Sequence, residues 1–361
     1  MRCAEIGVQG RPRAGPGQAV SLAVIVPNYN HARFLPIALD AILGQSLQPR
    51  EILVIDDAST DESREVIAEY AARFSHIRPV LLNQNRGVVR NMSDALAEAQ
   101  DDLLFFAAAD DVILPGLFER SVSLMQMFPQ AGLCSAPSRL MAPSGKDLGS
   151  FPTPRPRRTA GYLAPIEAAA HLVRNDTWMI GNTTILRRTA LVEAGGFREN
   201  LASFTDGYVS RAIALRHGVC FIPEEMAYWR RDDMGYAGQT TRDFAKTIAI
   251  ADVACRLMKE EYPGLFPERY PSLWRGRWLF GALTAGTDVD GPITSRLRQA
   301  IAVINAVDRV VLPMLDFMNS SYITKLYGFF RLRPHDTISI LVRTFQMFRL
   351  RLQGAPNSKP R

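Results

Sequence analysis

Residues 101–116 read DDLLFFAAADDVILPG, an apolar run that ends in two adjacent carboxylates, Asp110 and Asp111. The seven residues from Leu103 to Ala109 are all apolar, which is typical of a strand that is buried on both faces of a parallel sheet. Carboxylates at the end of such a strand cost free energy unless hydrogen bonds or a cation stabilise their charge. The stretch therefore predicts a buried strand with a binding site at its carboxyl end.

From Leu22 onward, short apolar runs alternate with segments whose apolar residues recur at helical spacing. This alternation predicts an α/β domain with a mostly parallel central sheet flanked by helices. Strands are predicted at SLAVIVP (21–27), EILVID (51–56), IRPVLLN (77–83), DLLFFAAA (102–109) and AGLCSAP (131–137). Residues 138–160, with four prolines, break the pattern and are predicted to form a flexible excursion over the surface. After about Thr241 the pattern is mainly helical.

The composition is ordinary for a globular protein, with 47% hydrophobic and 22% charged residues among 361. Residues 325–361 contain eight Lys or Arg and one acid, Asp336, so this tail carries a charge of +7. The net charge of the whole chain is +6, so the remaining residues sum to −1. A neutral main part predicts no nucleic-acid partner. The four cysteines show no CxxC spacing, which argues against a zinc site or a disulfide scaffold.

Two further patterns concern location. The sequence contains no uninterrupted apolar run of about 18 residues that would predict a membrane-spanning helix. The first 20 residues also lack the apolar core of a secretory signal. We therefore expect a cytoplasmic protein.

Three predicted strand ends carry polar side chains, in the sequences PNYN (27–30), DDAST (56–60) and ADD (109–111). In parallel α/β sheets, ligands bind beyond the carboxyl ends of the strands. Carboxylates there can accept hydrogen bonds from a base or a ribose, or hold a hard divalent cation that shares its ligands with phosphates. The pattern favours a metal–diphosphate site.

Four blocks in this order resemble the inverting glycosyltransferases of family two, which share the GT-A (nucleotide-diphospho-sugar transferase) fold. The blocks are VIVPNYNHARFLPIALDAILGQS, EILVIDDASTDES, NQNRGVVRNMSDALAEAQDDLLFFAAADD and LRRTALVEAGGF with TDGYVSRAIA, within about residues 20–235. The resemblance implies a GT-A domain, with bounds at 21–240. The Gly, Pro and Arg content of residues 1–20 predicts a disordered leader, and the helical pattern after Thr241 predicts a helical C-terminal region at 241–361.

The resemblance also implies roles for residues near the first two strand ends. Pro27 and Tyr29 stand where the family packs against the nucleotide base. Asp57 matches the carboxylate that binds the edge of the base, and Asp56 supports it. Gly87 lies in the segment that shapes the sugar-nucleotide pocket.

Further roles follow from the later blocks. Arg90 belongs to the same pocket segment as Gly87, and Asp110 and Asp111 match the DxD-type motif that binds the ribose and the metal. Asp111 is favoured for the metal and Asp110 for the nucleotide. Asp206 matches the catalytic base.

The implied reaction is a single displacement with inversion, in which Asp206 takes a proton from the acceptor hydroxyl. Mn²⁺ or Mg²⁺ would stabilise the departing nucleoside diphosphate. The donor is expected to be a nucleotide sugar, with UDP as the default nucleotide. The acceptor is expected to be a glycan, a lipid-linked sugar or a cell-envelope polysaccharide.

Two positions depart from the family pattern. Many members carry an acid at the position of Ala108, so this chain offers fewer ligands and the division of roles between Asp110 and Asp111 is open. Ala58 stands where glycine is common, which matters if the turn needs a positive φ.

Structural alternatives exist for each carboxylate. Asp56 and Asp57 could begin a capping turn, the pair Asp110–Asp111 could form a polar turn, and Asp206 could be the N-cap of its helix. The segment YWRRDDMG (228–235) could hold the diphosphate or be a solvated loop. At the level of the whole protein, the alternatives are a non-catalytic sugar-nucleotide or glycan-binding module and a nucleotidyltransferase. The latter would need a glycine-rich phosphate loop that PNYNHARF does not supply.

The basic tail has an amphipathic pattern in which Ile338, Leu341, Phe345, Phe348 and Leu352 share one helical face. Such a helix could lie on an anionic membrane surface or pack against the domain. The first alternative would place the protein peripherally at the inner face of the membrane.

Overall fold

The computed structural model describes residues 20–231, 235–285 and 292–333. The leader predicted at 1–20 therefore lies almost entirely outside the described residues. The amphipathic helix predicted between Ile338 and Leu352, and Asp232 in YWRRDDMG, also lie outside them. In the described part, no helix is both long and apolar enough to span a bilayer.

Twelve strands are found in the described residues, and the five predicted strands are among them, with ends that differ by a few residues. The strands are β1 (Leu22–Asn28), β2 (Glu51–Asp56), β3 (Ile77–Leu81), β4 (Leu103–Phe106), β5 (Val112–Ile113), β6 (Leu133–Ser135), β7 (Ser138–Met141), β8 (Asp147–Ser150), β9 (Gly161–Leu163), β10 (Ile185–Arg187), β11 (Val219–Phe221) and β12 (Ala227–Arg230).

The helices follow the strands in the first half of the chain and dominate the end of the described part. They are α1 (Leu35–Leu43), α2 (Ser63–Arg73), α3 (Val88–Glu98), α4 (Leu117–Met127), α5 (Pro165–Arg174), α6 (Arg188–Glu193), α7 (Thr205–His217), α8 (Tyr236–Arg242), α9 (Phe244–Glu260), α10 (Tyr270–Ala285), α11 (Ile293–Ala300), α12 (Ala306–Met318) and α13 (Ser321–Leu332). Short 3₁₀ turns at Gly181–Thr183 and Glu199–Phe204 precede β10 and α7.

The central sheet has eight strands in the order β3-β2-β1-β4-β10-β6-β11-β9. Strands β3, β2, β1 and β4 are parallel neighbours, and β6 is parallel to β11. β10 runs antiparallel between β4 and β6, and β9 is antiparallel to β11. The predicted α/β fold with a mostly parallel central sheet and a helical C-terminal region is confirmed.

Strand β1 shows why the sheet is covered on both faces. Its side chains alternate between two apolar clusters: Val24 and Val26 belong to one, and Ala23 and Ile25 to the other. The first cluster includes apolar residues of α1, α2 and α4. The second runs from α3, α6 and α7 into α9 to α13. The C-terminal helices thus share a core with the sheet, and the predicted division near residue 240 stays a prediction.

The predicted surface excursion at 138–160 is wrong for its first half. β7 and β8 form an antiparallel hairpin in a second sheet of four strands, in the order β5-β12-β7-β8. β12 pairs in parallel with β7 and antiparallel with β5, the strand that follows the Asp110–Asp111 pair. The sequence pattern did not predict this second sheet, because its strands have only two to four residues and their partners are distant in sequence.

The loops after β1 and β2 lie side by side because the strands are paired in register, with Asn28 opposite Asp56. Asn30 accepts a hydrogen bond from the Thr60 backbone (2.7 Å), and the Ser59 hydroxyl accepts one from the Asn30 backbone (2.9 Å). In the loop after β2, Ala58 has a φ of +62°, which is the left-handed conformation that favours glycine.

Ala58→Gly should therefore raise the free energy of unfolding, by up to about 1 kcal/mol, because glycine adopts the left-handed region without the steric cost that alanine bears. Urea unfolding of both proteins measures the difference. Ala68→Gly is the matched control, because Ala68 is exposed in the middle of α2 and glycine there should lower stability by about 1 kcal/mol. If both variants lose the same stability, the left-handed turn at Ala58 is contradicted.

Candidate functional site

The polar residues predicted at the strand ends lie along one edge of the central sheet. β1 is parallel to both β2 and β4, so their carboxyl ends point the same way. This arrangement brings the segments after Asn28, Asp56 and Phe106 to a common edge, where the first two are joined by hydrogen bonds. The edge is the position at which open parallel sheets bind ligands.

Asp56 is fully buried beneath this edge. Its carboxylate accepts hydrogen bonds from the Asn28 side chain (3.0 Å) and the Ser59 backbone (3.1 Å), and it pairs with Arg64 (3.0 Å). Each of these donors belongs to a segment that shapes the edge. Asp56 therefore holds the two loops together and contacts no open space.

Asp57 binds the loop that leads into α3. The backbone N–H groups of Arg86 and Gly87 donate to its two carboxylate oxygens, at 2.7 and 2.9 Å. Gly87 has a φ of +85°, which explains the glycine at this position. Each carboxylate oxygen has a second acceptor site, so Asp57 can still accept a hydrogen bond from a ligand.

The remaining residues predicted near the nucleotide differ in exposure. Pro27 is half-buried, whereas Tyr29 and Arg90 are exposed, with 46% of Tyr29 accessible. An exposed aromatic ring beside buried carboxylates is available for stacking on a base.

Asp111 turns inward and joins the two sheets. Its Oδ1 accepts a hydrogen bond from the Arg230 backbone N–H (2.7 Å), and its Oδ2 accepts one from the Asn182 side chain (2.8 Å). Burial, together with the neighbouring Asp110, raises the pKa of Asp111 to about 8, and these two hydrogen bonds oppose the rise. The carboxyl group is thus held by protein donors on both oxygens.

Asp110 is the more open member of the pair. It is half-buried, and no described residue donates a hydrogen bond to its carboxylate. Across residues 20–231, 235–285 and 292–333, no three Asp, Glu, His or Cys side chains come together as a metal site. The oxygens of Asp110 and Asp111 have the chemistry that Mg²⁺ or Mn²⁺ prefers, but phosphate or water would have to complete the coordination.

Arg230 does not reach outward as a diphosphate ligand. It is buried, and its guanidinium donates to the backbone carbonyls of Asp110 (2.7 Å), Ala142 (3.2 Å) and Pro143 (3.2 Å). The same group lies 4.2 Å from the centre of the Phe34 ring. Arg230 therefore fixes the Asp110–Asp111 loop to the second sheet. Arg231 is half-buried, and a diphosphate contact from the segment 228–235 through this residue stays a prediction.

Asp206 lies in the first turn of α7, where Phe204 and not Asp206 is the N-cap. α7 is buried on nearly all sides from Tyr208 to Leu215, so its first turn is firmly placed. The Asp206 side chain reaches solvent, yet its oxygens are closely surrounded: Oδ1 accepts from the Gly207 N–H (2.6 Å). A Cβ added to Gly181 would lie 2.7 Å from Oδ2.

A buried ionic cluster lies within electrostatic reach of Asp206. Asp176 accepts a hydrogen bond from the Tyr270 hydroxyl (2.8 Å) and pairs with Arg277, and the Asp176 backbone carbonyl accepts one from Arg211 (2.6 Å). Crowding by protein atoms raises the pKa of Asp206 above its ordinary value, and Arg211 and Arg277 oppose that rise. A carboxyl with a raised pKa is better matched to accepting a proton near neutral pH.

Sequence reasoning missed several residues that shape these carboxylates. Asn182, which contacts Asp111, and Gly181, which lies beside Asp206, belong to the segment WMIGNTTILRR. Apart from the single glycine, this segment has no sequence feature that predicts either contact. Asp176 and Arg277 are 101 positions apart and meet only through the packing of α10 against the sheet domain. No short-range pattern could have linked them.

Comparison with known proteins identifies the first part of the chain. Residues 23–158 match the family model described as Glycosyl transferase family 2. They form a family 2 glycosyltransferase domain. The matched residues contain β1 except Leu22, the strands β2 to β8, and the four carboxylates at 56, 57, 110 and 111, whereas Asp206 lies beyond them.

Among curated relatives, the chain is 29% identical over 217 residues to an uncharacterized protein of Mycobacterium tuberculosis (strain ATCC 25618 / H37Rv). The match covers 59% of this chain and 60% of that relative. The chain thus spans less than two thirds of the length of that relative.

Two solved structures share the fold of the family 2 domain and the helices that follow it. TarS 1–349 of S. aureus, in complex with UDP-GlcNAc, has a TM-score of 0.57 and 15% identity, over 86% of this chain and 89% of that one. The mannosyltransferase PcManGT of Pyrobaculum calidifontis, in complex with GDP-Man and Mn²⁺, has a TM-score of 0.54 and 18% identity, over 92% and 88% of the two chains. At these identities the likeness shows the GT-A fold.

The raised pKa of Asp111 predicts a pH effect on stability. Because the folded state binds the Asp111 proton more tightly than the unfolded state, its stabilising effect is complete below about pH 4 and is lost as the pH rises through about 8. Asp111→Asn removes this titration. Between pH 5 and pH 8.5, the free energy of unfolding of the wild type should fall by up to about 4 kcal/mol relative to the variant, since each pH unit between the two pKa values contributes about 1.4 kcal/mol.

Urea unfolding at a series of pH values measures this difference. Asn can keep both hydrogen bonds if the Asn182 amide reverses, because the Ser138 hydroxyl that donates to it (2.7 Å) can also accept. Parallel stability curves for the two proteins would show that Asp111 is ionised throughout the range and would contradict the predicted titration.

Proposed function

We propose that the chain transfers a sugar from a nucleotide-sugar donor to a hydroxyl group of a glycan, lipid-linked or polysaccharide acceptor, with inversion at the anomeric carbon. UDP-sugar is the expected donor. The observation that supports this most directly is the arrangement of Asp57, Asp110 and Asp206. Two of them stand at the strand-end edge of the family 2 domain, and the third has a solvent-reaching carboxyl with a raised pKa.

The donor would bind along the strand-end edge. Tyr29 is exposed for stacking on the base beside Pro27, and Asp57 retains acceptor capacity for a base N–H. Gly87 and Arg90 would line the pocket on the α3 side. Complexes of the two fold neighbours with UDP-GlcNAc and with GDP-Man support a nucleotide sugar as the class of donor.

Asp206 would act as the general base. It would hold the acceptor hydroxyl by a hydrogen bond and accept its proton as the oxygen attacks the anomeric carbon. Bonding of Oδ1 to the Gly207 N–H leaves Oδ2 as the oxygen for this proton. The bond from the anomeric carbon to the diphosphate breaks in the same step, so the configuration inverts.

Asp110 and Asp111 would hold Mg²⁺ or Mn²⁺, which when bound supplies Lewis-acid stabilisation of the departing diphosphate. The sequence favoured Asp111 as the ligand. The contacts favour Asp110, because both oxygens of Asp111 already accept hydrogen bonds from the protein and the Asp110 carboxylate is more open. Mn²⁺ in the PcManGT complex supports a divalent cation.

One observation favours the alternative of a non-catalytic sugar-nucleotide or glycan-binding module. Ala108 is exposed beside Asp110, where an acid would add a third ligand, and the described residues contain no cluster of three metal-binding side chains. A module of this kind would bind the nucleotide sugar without turnover.

The basic tail helix predicted from the sequence, at the inner face of the membrane, would be compatible with both functions.

Nucleotide binding and turnover should separate Asp110 from Asp206. In Asp110→Asn, calorimetric binding of the preferred nucleoside diphosphate should lose its dependence on Mn²⁺ or Mg²⁺, tested against EDTA. In Asp206→Asn, binding should be retained while kcat for release of the diphosphate from the nucleotide sugar falls about 10²- to 10⁴-fold. Glu65→Gln, at an exposed carboxyl on α2, serves as the control.

Metal-dependent binding by the wild type without turnover would favour the binding module. Absence of nucleotide binding under every metal condition would contradict both functions.

Gly181→Ala should impair turnover through Asp206. Its Cβ would lie 2.7 Å from Asp206 Oδ2, a contact that forces the carboxylate to move. We expect kcat to fall about tenfold or more with nucleotide binding unchanged, because small displacements of a catalytic group are costly. Gly207→Ala is the matched control, since its Cβ would make an ordinary 3.5 Å contact with Arg211. Equal activity of both variants would show that Asp206 needs no such space.

A further inference from the structure

Helices α12 and α13 expose a set of large apolar side chains to solvent. Ten of the large hydrophobic residues that are exposed in the described part lie between Val303 and Phe330. Phe317 is 93% exposed and Tyr322 76%. We call the following residues the apolar face: Val307, Val310, Met314, Phe317 and Met318 on α12, with Tyr322, Leu326 and Phe330 on α13.

The apolar face forms one stripe on each helix. With about 100° of rotation per residue, the five α12 members fall within an arc of about 100°, and the three α13 members, four positions apart, fall within about 80°. The core takes other sides of these helices, through residues such as Leu312 and Leu315 on α12. Packing of the domain therefore does not account for the apolar face.

The two helices form a fixed hairpin. The Asp308 carboxylate near the start of α12 accepts hydrogen bonds from Tyr327 (2.6 Å) and Arg331 (2.9 Å) near the end of α13. Asn319, with a φ of +45°, and the N-cap Ser320 make the turn between the helices. The apolar side chains are thus presented on an ordered surface.

Charge distinguishes this part of the chain from the rest. The described residues 302–333 contain four Lys or Arg and two Asp, so they carry +2. The sequence that follows, 334–361, adds five Lys or Arg and one Asp, a further +4. Two of the three acids are paired: Asp308 with Arg331, and Asp316 with Arg298. A partner that covers an apolar surface in this setting should be anionic.

We propose that the apolar face docks on the surface of an anionic lipid bilayer. Exposed apolar stripes of this extent mark interaction sites, and apolar side chains beside cationic ones match the acyl boundary and the anionic headgroups. A second copy, or the tail from residue 334, would instead bring like charge to the hairpin. The proposal concerns α12 and α13 and does not rest on the proposed function.

Vesicle flotation of the full chain tests the proposal. Vesicles are made of phosphatidylcholine alone or with phosphatidylglycerol. The wild type should bind the anionic vesicles at least about tenfold more strongly than the neutral ones. The double variant Val310→Ser/Phe317→Ser should lose about tenfold or more of that binding, because two side chains no longer enter the interface.

The matched control is Met127→Ser/Ile166→Ser, which removes two exposed apolar side chains on α4 and α5 and should bind as the wild type does. Circular dichroism checks that both double variants fold, and flotation requires no turnover, so failure of catalysis does not affect the result.

Equal vesicle binding by the wild type and the α12 variant, or no vesicle binding, would overturn the proposal. A dimer in sedimentation that the α12 variant abolishes, without vesicle binding, would assign the face to a second copy. Vesicle binding only after removal of residues 334–361 would assign it to the tail.

Discussion

The buried carboxylate of Asp111 is the contact on which the strand-end edge depends. It accepts a hydrogen bond from the backbone of β12 and another from Asn182, and so connects the end of β4 with the second sheet and with the turn before β10. Arg230 adds to this connection by donating to the Asp110 carbonyl from the opposite side. A carboxyl group buried at this position is accommodated because its hydrogen-bond donors are provided by distant parts of the chain.

This arrangement gives different roles to the two adjacent aspartates between β4 and β5. The pair lies in the turn between β4 and β5, where Asp111 is buried and Asp110 is half-buried, so one side chain points into the protein while the other stays more open. Asp111 takes the inward place and Asp110 the outward one. At β2 both carboxylates are buried: Asp56 joins two loops, and Asp57 orders the entrance to α3. In each pair at least one carboxylate therefore builds the edge.

The extent of prediction from sequence follows the range of the interactions involved. β1 and β2 were found from their apolar runs, and α1 between them from apolar residues at helical spacing, because these signals lie within one short stretch of sequence. The antiparallel β10 and the hairpin of β7 and β8 were not found, since strands of three or four residues gain their stability from partners far along the chain. At the site, residue type and strand ends indicated the carboxylates, but their orientations depend on Asn182 and Arg230.

The C-terminal helices affect the site as well as the surface. Asp176 and Arg277 meet across the boundary predicted near residue 240, and with Arg211 they place two cations and one anion in electrostatic reach of Asp206. Asp206 as a carboxylate would balance the remaining positive charge, while crowding raises its pKa. Because these effects oppose each other, the proton affinity of Asp206 depends on how α10 is packed. The helical region is therefore part of the environment that tunes this carboxyl group, although it lies outside the matched family 2 segment.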